Sequence, residues 1–215
     1  KYFFNVSWWL SERVFGAMIL ATGKTVWVCP AFETERAKEQ IPGGDKIYTW
    51  EEHESPYKLI NTIVKDLGIS AGKMAMCPNI RSFVVEGFIR DAGIQIVDGS
   101  IITESCRGIK TDKEIGYMDL ANRITKMAVQ YGFGKLQAGM TKGELGSFFS
   151  EAFSQMGVSA GGSPNFGFTT AFPHGTSKKH DLIDGDVVQI DIGCSIEGYR
   201  ADVTRTIVFG KPTDR

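Results

Sequence analysis

The sequence predicts an α+β protein in which a segment of alternating strands and helices precedes two long helices and a β-hairpin. Three observations support this fold class. Strand-like runs of β-branched and aromatic residues alternate with helix-like runs in the first half. After residue 110, two Thr-x-x-Glu motifs each precede an amphipathic run. Residues 186–209 then show a strand–turn–strand pattern.

The first half predicts an α/β layer. Ser55 followed by Pro56 is typical of a helix start, because serine caps free N–H groups and proline fits the first turn. Gly68 and Gly93 lie where two helices should stop. Strands that alternate with helices usually pair in parallel, so we expect a largely parallel sheet. The strands are predicted at residues 25–29, 46–50, 73–77 and 94–97, and the helices at residues 56–67 and 83–91.

The second half has a different pattern. Thr111 with Glu114, and Thr141 with Glu144, each fit a capping box, in which the two side chains bond each other's backbone N–H groups. The helices that they begin are predicted at residues 115–130 and 145–156.

The segment between the second long helix and the hairpin is expected to hold a glycine-rich connecting loop, residues 160–167, and a strand, residues 166–172. The change from alternating elements to long helices places a domain boundary at about residue 104. The predicted domains are therefore residues 1–104 and 105–215.

Composition excludes several classes of function. The 215 residues carry a net charge of −1, which gives no field that would attract nucleic acid or an anionic membrane. No apolar run reaches the roughly 18 residues of a membrane span. Four cysteines without CxxC spacing disfavour a zinc cluster and suggest free thiols in the cytoplasm. Both ends look internal to a domain, so we expect a longer protein.

Two acidic residues of the hairpin, Asp191 and Asp202, are the first candidates for a functional site. A turn centred on Ile196 and Glu197 would place them directly opposite each other. Directly opposed side chains have Cβ atoms about 4.5–5.5 Å apart, where two like charges repel. Something must compensate if the pair is enclosed between strands.

Three interpretations of the pair remain open at this point. The two carboxylates could bind a divalent cation, share a proton, or lie exposed to solvent on an edge hairpin. One face of the hairpin is apolar, apart from Arg205, and the other is a polar row centred on the two acids. This pattern favours the cation over the solvated pair.

The three histidines differ in context. His53 and His180 lie in charged runs and are expected to be solvated. His174 ends the predicted apolar strand that should neighbour the hairpin, which makes it a candidate for the same site.

Specific motifs around these residues resemble the pita-bread metallopeptidases, which include prolidase, aminopeptidase P and methionine aminopeptidase, with creatinase as a relative. The match comprises Phe-Pro-His-Gly at residues 172–175, Leu-x-x-Gly-Asp-x-Val-x-Ile-Asp-x-Gly at residues 182–193, and Gly-Tyr-x-x-Asp-x-Thr-Arg-Thr at residues 198–206. Residues 107–115 resemble the entry into the catalytic domain, and residues 2–30 resemble the creatinase/prolidase N-terminal domain.

The resemblance implies a creatinase-like α/β domain followed by the first part of a pita-bread catalytic domain. It also implies two divalent metal ions (manganese, cobalt or zinc), with Asp191 as a terminal ligand and Asp202 as a bridging ligand. His174 would bind the substrate and stabilise the tetrahedral intermediate, and Thr204 would orient Asp202. The remaining ligands, a histidine and two glutamates, are expected beyond residue 215.

The function implied by the resemblance is a metal-dependent exopeptidase of the prolidase or aminopeptidase P type. It would hydrolyse Xaa-Pro bonds in peptides and act as a homodimer, without nucleic acid or membrane as partner. Two alternatives are a metal-free pita-bread module that binds proteins and a creatinase-like amidinohydrolase. Neither needs both aspartates, so the presence of both disfavours these alternatives.

Overall fold

The structure is a computed structural model that describes residues 1–9, 11–43, 46–69, 73–172 and 175–212. The chain forms two compact units, residues 1–108 and 109–215. Each unit has its own hydrophobic core. The division falls just after helix α4 (Ser100–Gly108), whereas the boundary predicted near residue 104 lies inside that helix.

The strands of the first unit form two small sheets. In one sheet, the central strand pairs antiparallel with its predecessor and parallel with its successor. The other sheet is one parallel pair. Parallel pairing is therefore confirmed, and the first, antiparallel strand was not predicted. The strands are β1 (Gly16–Ile19), β2 (Thr25–Pro30), β3 (Lys46–Trp50), β4 (Lys73–Met76) and β5 (Gln95–Asp98).

Both helices predicted for this unit are present, and two further helices, at residues 34–40 and 100–108, were not predicted. The Ser55 hydroxyl accepts a hydrogen bond from the backbone N–H of Lys58, and Pro56 occupies the first turn, as expected of a capped start. Gly93 has φ of 62°, a left-handed conformation that ends the helical segment before it. The helices are α1 (Thr34–Gln40), α2 (Pro56–Asp66), α3 (Ser82–Gly87, continued by a π-turn, Phe88–Ala92) and α4.

The second unit contains the two long helices, α5 (Asp112–Phe133) and α6 (Lys142–Gln155). Both predicted capping boxes are present. The Glu114 carboxylate accepts from the backbone N–H of Thr111 at 2.7 Å, and that of Glu144 accepts from Thr141 at 2.8 Å. Within the described ranges, no helix combines the length and the apolar character that crossing a bilayer requires.

The sheet of the second unit is antiparallel and centred on one long strand, β8 (Val187–Gly193). Strand β8 pairs with β11 (Val203–Val208) on one edge. On its other edge it pairs with two short strands, β6 (Gly161–Gly162) and β7 (Asn165–Phe166). The two short strands lie in the segment that was predicted as a loop. The strands are β6 (Gly161–Gly162), β7 (Asn165–Phe166), β8 (Val187–Gly193), β9 (Ser195–Ile196), β10 (Tyr199–Arg200) and β11 (Val203–Val208).

The strand predicted at residues 166–172 is wrong. Beyond Phe166 the chain forms a 3-10 helix, Gly167–Ala171. The Thr169 hydroxyl donates to the carbonyl of Phe166 and accepts from its N–H, so a side chain closes this turn locally in place of a strand ladder.

The core of the second unit lies between the helices and one face of the sheet. Val188 and Ile190 of β8 are fully buried, as are Phe149 and Phe153 of α6. These residues belong to one continuous apolar cluster. The apolar face predicted for the hairpin is therefore the face that packs inward, and the polar row faces outward.

Candidate metal centre

The hairpin turn has Glu197 and Gly198 at its centre, with φ of 50° and 88°. A two-residue turn of this kind needs positive φ at both positions, which glycine adopts freely and a β-branched residue such as Ile196 does not. The turn predicted at Ile196 and Glu197 is therefore wrong by one residue.

The corrected turn shifts the pairing of the strands by two residues. Asp191 lies opposite Thr204 rather than opposite Asp202, so the predicted direct opposition of the two acids is wrong. A shift of two residues leaves each side chain on its original face, because strand side chains alternate with a period of two. Burial alternates along residues 201–204: Ala201 and Val203 are buried, whereas Asp202 and Thr204 are exposed. Asp191 and Asp202 therefore share the exposed face as diagonal neighbours, a relation that places residues about 7–8 Å apart.

Asp202 lies where the hairpin ladder is interrupted. The base ladder, formed by β8 and β11, ends at the pair Val203 and Ile192. The tip ladder, formed by β9 and β10, contains only two residue pairs. Between the two ladders, the N–H of Ala201 donates to the carbonyl of Cys194 at 2.9 Å.

Gly193 makes this junction possible. A Cβ atom at this position would overlap the carbonyl oxygen of Ala201. The backbone that leads into Asp202 therefore lies against β8 more closely than any side chain at residue 193 would allow. The glycine of the Ile-Asp-x-Gly motif thus has a steric role.

Helix α5 supports the tip of the hairpin through polar contacts that the sequence did not predict. The Tyr199 hydroxyl donates to Glu114 Oε1 at 2.6 Å, and the two tyrosine rings of Tyr117 and Tyr199 stack with centroids 5.7 Å apart. The hydrogen bond from Tyr199, followed by those from Thr111, lowers the pKa of Glu114.

A second contact between α5 and the hairpin is buried. The Thr125 hydroxyl donates to the carbonyl of Ala121 at 2.8 Å and lies 3.5 Å from Cys194 Sγ. The thiol of Cys194 in turn lies 3.4 Å from the same carbonyl. The chain next to the junction is therefore fixed to the middle of the helix.

Carboxylate oxygens are hard donors that suit divalent cations, so the exposed pair Asp191 and Asp202 has the chemistry of a partial metal site. The rest of such a site does not come from the described part of the chain, where no group of three or more His, Cys, Asp or Glu side chains could hold a metal ion. Thr204, the predicted partner of Asp202, lies opposite Asp191 on the same face. His174 lies outside the described residues, and its role stays a prediction.

The structure corrects the expectation for His180. Its side chain is 20% exposed, and Nε2 lies 2.8 Å from Asp186 Oδ2. The ring also makes an edge contact with Phe168, with centroids 5.1 Å apart. Asp186 also accepts from the backbone N–H of Ile183. Polar neighbours in sequence suggested solvation, but the partner lies six residues away across a turn.

Comparison with known proteins finds a family that matches the segment containing these residues. Residues 116–215 match Metallopeptidase family M24. These residues, just under half of the chain, are therefore similar to that metallopeptidase family. The matched segment includes β8, the hairpin tip and β11, and therefore both aspartates.

Relatives of the M24 segment extend the similarity over most of the chain. An uncharacterized peptidase of Schizosaccharomyces pombe is 30% identical over 223 residues, which cover 96% of this chain and 48% of the relative. An uncharacterized peptidase of Staphylococcus aureus is 28% identical over 206 residues, which cover 94% of this chain and 57% of the relative. The chain thus spans about half the length of the curated relatives that it matches.

Solved structures confirm the fold, which is that of the M24 pita-bread enzymes. The dipeptidase PepE of Mycobacterium ulcerans has a TM-score of 0.85 at 23% identity, covering 95% of this chain and 56% of that structure. An Xaa-Pro dipeptidase of Bacillus anthracis has a TM-score of 0.77 at 22% identity, with coverages of 99% and 58%.

Proposed function

We propose that this chain belongs to a metal-dependent exopeptidase that hydrolyses Xaa-Pro peptide bonds, with Asp191 and Asp202 as metal ligands. The observation that carries the proposal is the placement of the two acids as diagonal neighbours on one exposed face, inside the M24 segment. The Xaa-Pro specificity is supported by the motif resemblance and by the similarity of the fold to the Xaa-Pro dipeptidase of Bacillus anthracis.

Exposure alone would equally suit a pair of solvated acids. The family match favours the metal ligands over the solvated pair, because M24 is a metallopeptidase family and both acids lie in the matched segment. The diagonal relation also disfavours the shared proton, since the acids are farther apart than directly opposed side chains. A protein-binding module or a creatinase-like amidinohydrolase would have no use for two acids in this arrangement.

The bound cations would supply Lewis acidity that activates water and polarises the scissile carbonyl. Asp191 and Asp202 would hold them through their carboxylate oxygens. Thr204 lies two residues from Asp202 along β11 and opposite Asp191, so its hydroxyl is suited to orient either carboxylate. His174 would donate a hydrogen bond to the oxyanion that develops on the substrate.

Replacement of Asp202 tests the proposal in the full-length protein. Asp202→Asn removes a charged ligand and is expected to lower Mn²⁺ stoichiometry and to reduce cleavage of an Xaa-Pro dipeptide by about 100-fold or more, the loss of several kcal/mol of transition-state stabilisation. The matched control is Thr206→Ala, an exposed residue of β11 on the same face, which should retain both properties.

Undiminished cleavage by the folded Asp202→Asn variant would overturn the proposal. If the wild type cleaves Xaa-Pro and Xaa-Ala peptides equally well and Asp202→Asn loses both activities, the protein is a metallopeptidase without the proposed Xaa-Pro specificity. Comparison of a dipeptide with a longer Xaa-Pro peptide separates the prolidase type from the aminopeptidase P type.

We propose further that the metal is manganese, with cobalt or zinc as alternatives, and that the protein acts as a cytoplasmic homodimer. The four cysteines are free thiols, which supports a reducing compartment. Metal analysis of the purified protein and sedimentation at several protein concentrations test the metal and the dimer.

A further inference from the structure

The two proposed ligands are held in place by different means. Asp191 lies inside the base ladder, where residues on both sides of it pair with β11. Asp202 lies at the junction, between the last pair of the base ladder and the first pair of the tip ladder. Its position therefore depends on where the tip lies as well as on the sheet.

At its outer end, the tip is tied to helix α5 by a side-chain hydrogen bond. Tyr199 is three residues before Asp202, and its hydroxyl donates to Glu114 Oε1 at 2.6 Å. The other oxygen, Oε2, accepts from the N–H and the hydroxyl of Thr111 in the capping box. Glu114 therefore has two separable roles, one for each oxygen, and its geometry is fixed by the start of the helix.

We infer that the hydrogen bond between Tyr199 and Glu114 is a positioning contact that sets the location of the Asp202 carboxylate and thereby tunes metal affinity. The inference rests on the proposed function, since it assumes that Asp202 binds the metal. Neither Tyr199 nor Glu114 would touch the metal. Loss of an indirect contact of this kind typically weakens metal binding by about 10–100-fold.

Tyr199→Phe isolates the contact, because it removes the hydroxyl and keeps the ring that stacks on Tyr117. In the full-length protein, Mn²⁺ binding measured by calorimetry is expected to weaken about tenfold. The visible spectrum of the Co²⁺-loaded protein should change as well, because that spectrum reports the ligand geometry. Effects on folding alone would lower the unfolding midpoint and leave the affinity and spectrum of the folded protein unchanged.

Two substitutions of Glu114 test the same contact: one removes the hydrogen bond to Tyr199, and the other keeps it. Glu114→Ala should reproduce the weaker binding of Tyr199→Phe, and the double variant should bind no more weakly than Glu114→Ala alone, because one shared bond is lost. Glu114→Gln should stay within about twofold of the wild type, since its carbonyl can accept from the N–H of Thr111 while its amide donates to the Tyr199 oxygen.

Two controls separate the tip contact from helix capping. Thr111→Ala removes the hydroxyl that bonds Glu114 Oε2 and the N–H of Glu114, while the backbone N–H of residue 111 still donates to Oε2. This variant should lower stability without changing Mn²⁺ affinity. Glu144→Ala removes the acid of the second capping box, in α6, and should likewise leave Mn²⁺ affinity unchanged.

The outcomes distinguish this inference from the proposed function. If Asp202→Asn abolishes Mn²⁺ binding while Tyr199→Phe keeps the wild-type affinity and cobalt spectrum, the positioning contact is rejected and the function stands. If Asp202→Asn leaves Mn²⁺ binding intact, the proposed metal site itself fails. Additive losses in the double variant would also reject the shared bond.

Discussion

The base and the tip of one hairpin are held in place by different forces. The base ladder buries Val188, Ile190 and Ile192, which are 0%, 0% and 4% exposed, against the core of the second unit. The tip ladder consists of two residue pairs; Ile196 of the tip packs against the same core, and directional contacts to α5 hold the tip as well. Apolar packing is shared among many atoms, whereas a directional contact can be removed singly. The base therefore determines whether the unit folds, and the tip determines where Asp202 lies.

The largest effect is expected at the base. Ile190→Ala leaves a cavity in a fully buried site and should lower the free energy of unfolding by about 2–5 kcal/mol. Urea denaturation measures this change. Thr206→Ala, on the exposed face of the same ladder, should stay within about 0.5 kcal/mol of the wild type. Equal losses for the two variants would mean that the apolar face does not carry the stability of the hairpin.

A smaller loss is expected at the junction. Gly193→Ala forces a Cβ atom against the Ala201 carbonyl, so the backbone must move, at a cost of about 1–3 kcal/mol. Gly116→Ala provides the matched control, because this glycine lies in α5 with no atom near the added Cβ. There the substitution should stabilise the protein by about 0.5–1 kcal/mol, since alanine favours the helix. A neutral Gly193→Ala variant would contradict the close approach at the junction.

Local sequence signals predicted much of the fold. Ser55 with Pro56, and both Thr-x-x-Glu motifs, act within one helical turn, and the structure has all three caps. The predictions of the strand at residues 166–172 and of the hairpin turn were wrong, because local interactions favoured a different backbone conformation there. The Thr169 hydroxyl turned a predicted strand into a 3-10 helix, and the positive φ of Glu197 and Gly198 moved the hairpin turn.

The candidate site was predictable in composition but less so in geometry. The period of the strand placed Asp191 and Asp202 on one face even though the register was wrong, because the error was an even number of residues. The contact between Tyr199 and Glu114 joins residues 85 positions apart, and no periodicity or spacing predicts such a pair. Glu114 was assigned from sequence to helix capping alone, which accounts for only one of its two oxygens.

The smallest expected effect is a change in the pKa of Glu114, the acid of the first capping box, that Glu144 of the second capping box should not show. Hydrogen bonds lower the pKa of both acids, chiefly the bond from Tyr199 for Glu114 and the backbone bond from Thr141 for Glu144. A lowered folded-state pKa contributes stability above the unfolded-state pKa, about 4.3 for glutamate, and this contribution is lost as pH falls through the folded-state value. Tyr199→Phe should therefore raise the pKa of Glu114 toward its ordinary value and leave that of Glu144 unchanged. Titration of the side-chain carboxyl carbons by NMR measures both, and an unshifted Glu114 would mean that the tip is not tied to α5 in solution.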